Sequence, residues 1–146
     1  MGEVIEIRDA FGELLVRCEA PAGGTGLRGV VLEGAELTAA QLPGADLDGS
    51  DLYWARLFRA NLEGANLRRA DLRGADLKEA NLRNADLKGA DLGQDNVGGA
   101  TSLEGANLRG AQLAGARLQG ARYDERTRFP TGFSPEAAGM VRATED

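Results

Sequence analysis

The chain has 146 residues, of which 42% are apolar, 5% aromatic and 27% charged, with a net charge of -6. That content excludes an intrinsically disordered chain, and the acidic balance disfavours nonspecific nucleic-acid binding, which depends on excess positive charge. The length suits one domain, but an apolar supply of mostly Leu and Ala, beside 21 glycines, suggests a narrow and repetitive core.

The N-terminus, MGEVIEIRDA, is acidic and lacks the apolar run of a secretory signal. Its Met-Gly start lacks Ser or Thr at position 6, so the myristoylation pattern fails. No apolar run approaches a membrane span. Cys18 is the only cysteine, which forbids an internal disulfide and favours a reducing compartment. A cytoplasmic protein is expected.

Residues 3–19, EVIEIRDAFGELLVRCE, have the form of a β-hairpin: strand-like runs at Val4-Ile5-Ile7 and Leu14-Leu15-Val16 flank RDAFGE. The segment PAGGTG (21–26) reads as a linker. Residues 1–29 are expected to cap whatever follows.

From residue 30 a period of five takes over. Central positions at 32, 37, 42 and so on to 97, resuming at 103 and running to 123, hold Leu in seventeen of nineteen cases, with Val97 and Tyr123 the exceptions. Two residues before each centre, Ala stands fifteen times, and two residues after it Gly stands eleven times. Asp or Asn is frequent one residue before the centre.

Such a period fits neither regular structure. On an α-helix, five residues turn the side chain by about 500°, so the leucines would spiral around the axis. On a flat strand an odd period sends them to alternate faces. A chain that turns a corner once per five residues points every Leu to one axis and seats the small Ala beside it. Gly after the centre fits the corner, where φ is often positive.

The A(D/N)LxG unit resembles the pentapeptide-repeat proteins over residues 30–123. The resemblance implies an all-β, right-handed quadrilateral β-helix with four pentapeptides per coil. Leu32, Leu52, Leu72 and Leu92 would then share one face, and Leu37, Leu57, Leu77 and Val97 the next. Nineteen pentapeptides would make a little under five coils, a rod of roughly 23 Å at the strand spacing. The fold carries over, while a function does not, since the family holds many members and few known activities.

DLYWARLFRANL (51–62) is the aromatic-rich stretch of the repeat. By phase, Tyr53, Trp54 and Phe58 point outward, and Arg56 and Arg59 lie beside them. This is the composition of a binding hot spot. Tyr53, Trp54, Phe58 and Arg59 are therefore the candidate partner-binding residues; the other reading is that the hairpin or linker folds over them. Charge is uneven as well: residues 33–51 carry only acidic groups, and residues 68–88 form a mildly basic belt. Acidic and basic side chains on neighbouring coils are expected to pair there, each exposed pair adding little.

In LGQDNVGGATSL (92–103) the spacing from Val97 to Leu103 is six. It reads as a one-residue bulge, with a small protruding contact loop as the alternative. After Tyr123 the pattern ends. Residues 124–146 are expected to form a C-terminal cap with a short helix near 135–142, because Ser134-Pro135-Glu136 has the form of an N-cap followed by Pro at the first helical position. A lid over the last coil is its plain role, and dimerisation through this end the sharper one.

No histidine is present, Cys18 has no base beside it, and the glycines follow the structural period instead of a phosphate-binding fingerprint. No catalytic residue, cofactor or metal is expected. The reading is a non-enzymatic structural or protein-interaction scaffold, a monomer or weak homodimer through an end cap. The alternative, implied by the resemblance, is a DNA-mimicking binder of a type II topoisomerase, against which stand the basic belt and the absence of Phe from the central positions.

Overall fold

The computed structural model describes residues 3–20 and 26–144. Most of the expected linker, residues 21–25, lies outside the described residues. Parallel bridges join residues 20 apart, as in Val31 to Asp51 to Asp71 to Asp91, so four pentapeptides make one coil. Face 1 carries Leu32, Leu52, Leu72, Leu92 and Leu118; face 2 carries Leu37, Leu57, Leu77, Leu103 and Tyr123. Face 3 carries Leu42, Leu62, Leu82 and Leu108; face 4 carries Leu27, Leu47, Leu67, Leu87 and Leu113. Leu27 joins the coil one pentapeptide earlier than expected: Val30 N donates to Leu27 O at 3.0 Å, and Gly29 takes a φ of 72°.

A five-residue unit with Asp or Asn before its centre can satisfy all of its backbone donors. In the unit around Leu52, Leu52 N donates to Asp71 O and Trp54 N to Arg73 O on the next coil, and Asp51 N donates back to Val30 O. Ala55 N closes the corner on Leu52 O. The remaining N–H, that of Tyr53, is taken by the Asp51 side chain at 3.0 Å. The same Asx bond recurs at Asp71, Asp76, Asn81 and Asp86, which explains Asp or Asn before the centre. The residue after next, at the corner, takes positive φ, as at Gly34 and Gly64. That position tolerates any residue only at a cost of roughly 1–2 kcal/mol unless it is glycine, yet Ala39, Trp54, Arg59, Arg69, Glu79 and Asn84 all occupy it.

Inside, leucines and alanines stack in columns and are almost fully buried. Ser50 breaks its alanine column: it is 1% exposed, and its hydroxyl has no hydrogen-bond partner. Thr101, the other polar residue in this role, donates to Leu72 O at 2.9 Å. Ser50→Ala is therefore expected to raise stability by about 1 kcal/mol, read as a higher denaturation midpoint at unchanged slope.

The hairpin forms: β1 (Val4–Arg8) pairs antiparallel with β2 (Leu14–Glu19) around a turn in which the Asp9 carboxylate accepts from Phe11 N and Glu13 N. It docks through Gln41 N to Arg8 O and buries Ile7 against the first coil. At the other end, β3 (Arg122–Tyr123) pairs in parallel with β4 (Val141–Arg142). Tyr123 of β3 meets Phe129 edge to face at a centroid distance of 5.7 Å, and Phe129 stacks on Phe133 at 5.1 Å.

Two expectations are corrected. No helix forms at 135–142. Ser134 Oγ does accept from Ala137 N, but Met140 N donates to Pro135 O and Gly139 N to Glu136 O, a Schellman closure that ends the segment after one turn. Gly139, at φ 80°, supplies the left-handed residue this needs. Nor is the break a one-residue bulge. Asp71 pairs with Asp91, 20 residues on, but Asp76 pairs with Ser102, 26 residues on. Residues 95–100 leave the coil as a six-residue insertion, Leu103 takes the place under Leu77, and Val97 stands 79% exposed.

Candidate functional site

The insertion brings together two features that are far apart in sequence. Tyr53 and Trp54 sit at a corner of face 1 on the second coil. Residues 95–100 emerge at the same corner on the fourth coil and fold back over the third. The Trp54 ring crosses the intervening Gly74: a Cβ there would lie 2.8 Å from the indole. A Cβ at Gly99 would lie 2.4 Å from the same ring. Both glycines leave room that any other residue would fill.

Asp95 is the centre of the arrangement. One carboxylate oxygen accepts from Tyr53 Oη at 2.7 Å and Trp54 Nε1 at 2.9 Å. The other accepts from the backbone N–H groups of Val97 at 3.0 Å and Gly99 at 2.6 Å. Four donors converge on a side chain that is nearly out of solvent. The Tyr53 hydroxyl foremost, with the Gly99 N–H and the indole, holds the Asp95 carboxyl down to about 2. The same bond raises the Tyr53 phenol above its ordinary value. Arg73 supports Tyr53 from below, its guanidinium 5.2 Å from the ring centroid, and is itself clamped by Asp71 at 2.9 and 2.8 Å. Tyr53 and Trp54 meet edge to face with centroids 6.2 Å apart.

The four residues singled out by sequence divide into two places. Tyr53 and Trp54 belong to the latch with Asp95. Phe58 lies around the corner on face 2, where Arg59 covers its ring at 5.2 Å and pairs with Glu79 at 3.2 Å. The inserted segment, through Asp95 and Gly99, is what lies against Trp54, which remains 46% exposed. Asp95, Arg73, Gly74 and Gly99 were not among the candidate partner-binding residues. The signal for Asp95 was present: reading Val97 as a centre places a carboxylate in the inward alanine position, where burial without a partner is costly.

Four pentapeptides per coil around a Leu-Ala core define a quadrilateral β-helical solenoid. The chain matches the family described as Pentapeptide repeats in 8 copies, over residues 24–53, 55–94 and 100–122, and it belongs to that family. Among solved structures it is 44% identical to alr5209, a pentapeptide repeat protein from Nostoc Pcc 7120, over 77% of this chain and 84% of that one, with a TM-score of 0.44. A pentapeptide repeat protein of the Arabidopsis thaliana thylakoid lumen is 34% identical over 68% of each chain, with a TM-score of 0.53. QnrB1, a plasmid-mediated fluoroquinolone resistance protein, is 18% identical over 77% of this chain and 65% of that one, with a TM-score of 0.38. No curated protein is significantly similar to the chain. Among the described residues, no helix is long and apolar enough to cross a membrane.

Proposed function

We propose that the protein is a non-enzymatic interaction scaffold, and that it presents the Trp54–Asp95 latch to a protein partner. One observation carries this reading: an indole held in place by a hydrogen bond and two glycines is still 46% exposed, and the tip residue beside it, Val97, is 79% exposed. A core residue would be covered and an incidental surface residue would be loose. A rigid, half-exposed aromatic side chain is what an interface anchor requires. Trp54 also holds a left-handed corner at φ 58°, a strained conformation retained in favour of its side chain. Phe58 and Arg59 extend the contact around the corner. A cytoplasmic location is part of the same reading and rests on the lone cysteine.

Pull-downs with the tagged full-length chain test this. At least one protein retained by the wild type is expected to be lost with Trp54→Ala, at unchanged melting of the solenoid. Identical retained proteins would remove the latch as a contact. The alternative, a DNA-mimicking topoisomerase binder, draws less support. The Asp71 and Asp91 carboxylates that such a mimic would offer are already paired with Arg73 and Arg117. Micromolar protein is expected to leave supercoiling by purified gyrase unchanged; inhibition would reverse the order of the two readings.

A further inference from the structure

Charge pairing differs between the faces of the coil. On face 1, Arg73 holds Asp71 and Arg117 holds Asp91. On face 2, Arg56, Arg59, Lys78 and Arg122 hold Glu36, Glu79, Asp76 and Glu104 in turn. Every cation on these two faces therefore has a carboxylate partner, across coils for Arg56, Arg59, Arg117 and Arg122 and within one pentapeptide for Lys78. Face 3 departs from this pattern. Arg83 and Arg109 stand at the same outward position on successive coils, joined through Asn84 N and Arg109 O at 3.0 Å. Both are exposed, and neither meets a carboxylate among the described residues. Glu63, below Arg83 in the same column, instead accepts from Asn81. Arg128 continues the face with only the Glu125 carbonyl as acceptor.

Around the corner on face 4, Lys88 also lacks a carboxylate partner among the described residues, and Arg68 and Arg69 flank it. Arg69 holds Asp48 at 2.7 Å, while Arg68 reaches Asp86 only at 3.8 Å. With Gly89 as an open floor, these side chains outline a shallow groove of about 380 Å³. In a chain of net charge -6, the cations of the coil without partners are thus gathered on one side, opposite in character to the paired faces.

We infer that faces 3 and 4, from the second coil to the fourth, bind a short acidic segment of a partner polypeptide. The guanidinium forks of Arg83 and Arg109 suit carboxylates bidentately. Nucleic acid is the poorer fit. Tyr53, Trp54 and Phe58 lie on faces 1 and 2, and the ring that borders face 4 beside Ala111 and Leu113, Phe133, is half-buried and stacked on Phe129, which leaves a base little to stack on among the described residues. A longer polyphosphate would also run onto the acidic remainder of the surface, whereas a short segment meets the patch alone.

The site is independent of the Trp54 latch and is tested separately. A short fluorescein-labelled peptide of alternating glutamate and serine is titrated with the full-length protein at low ionic strength and followed by anisotropy. Saturable binding is expected, weakening as salt is raised. Arg83→Glu with Arg109→Glu is expected to weaken it about tenfold or more. Arg56→Glu with Arg122→Glu, which changes net charge equally on face 2, is expected to leave it nearly unchanged. Lys88→Glu provides a single-site check, with melting curves confirming that each variant is folded. Absence of saturable binding, equal loss in both double variants, or tighter binding of a single-stranded oligonucleotide than of the peptide would each overturn the assignment.

Discussion

Leu77→Arg is expected to yield no folded protein, whereas Val97→Arg is expected to melt within about 0.5 kcal/mol of the wild type. The two positions share the five-residue phase in the sequence and differ only in the coil. Leu77 is 0% exposed and stacked between Leu57 and Leu103. Truncating such a leucine costs about 2–5 kcal/mol, and burying an unpaired guanidinium adds several more. Together these match or exceed the about 5–15 kcal/mol that holds a domain folded. The neighbouring coils offer no relief, because the inward positions around Leu77 are Leu or Ala apart from Ser50 and Thr101, neither of which carries a charge to pair with the guanidinium. Val97 stands outside the ladder, so its substitution removes no core contact. Circular dichroism and thermal melting of the two variants decide the matter. A cooperatively folded Leu77→Arg would contradict its inward placement, and an unfolded Val97→Arg would contradict the six-residue insertion.

Asp95→Ala is the second large effect, and it is local. Removing the carboxylate strands the donors of Tyr53, Trp54, Val97 and Gly99 in a place where little else accepts them. The chain has a single tryptophan, so the indole is its own reporter. Its N–H is expected to exchange about tenfold faster or more by NMR, its emission to shift to the red, and the melting temperature to fall by about 5 °C. An indole with unchanged exchange would show that the glycine seat alone holds it. The pH dependence follows from the same contacts. Asp95 is depressed below its unfolded value of 3.8, so its contribution is full above about pH 4 and is lost as pH falls toward about 2. Tyr53 is raised above its unfolded value of 10.0, so its share is present below pH 10 and lost as the solution becomes more alkaline than the folded-state value. In acid, loosening of Trp54 is expected to accompany protonation of Asp95; an indole signal flat down to pH 2 would contradict the latch.

The coil was legible in the residues because its constraint is local. Each pentapeptide needs a Leu and a small residue inward, an Asp or Asn to receive a backbone N–H, and a corner that glycine suits. The hairpin was legible for a similar reason, since apolar runs flank a turn in which Asp9 and Gly12 meet the backbone's needs. The C-terminal helix was misjudged because Ser134 and Pro135 do begin a turn, but Gly139 closes it before a second turn forms. The insertion was misjudged because a six-residue excess and a one-residue excess look alike when the period is five. Only the ladder, with Asp76 bonded to Ser102, distinguishes them.

Sequence by itself therefore determined the repeating cross-section, the inward and outward sides of each pentapeptide, and the prominence of Tyr53 and Trp54. Tertiary structure alone decided which outward side chains are neighbours. Residues 20 or 26 apart touch because the coil returns to the same face, and that return depends on the full count of residues per turn, insertion included. It sets Asp95 against Trp54, gives Arg56 and Arg117 their carboxylates, and leaves Arg83 and Arg109 without one among the described residues.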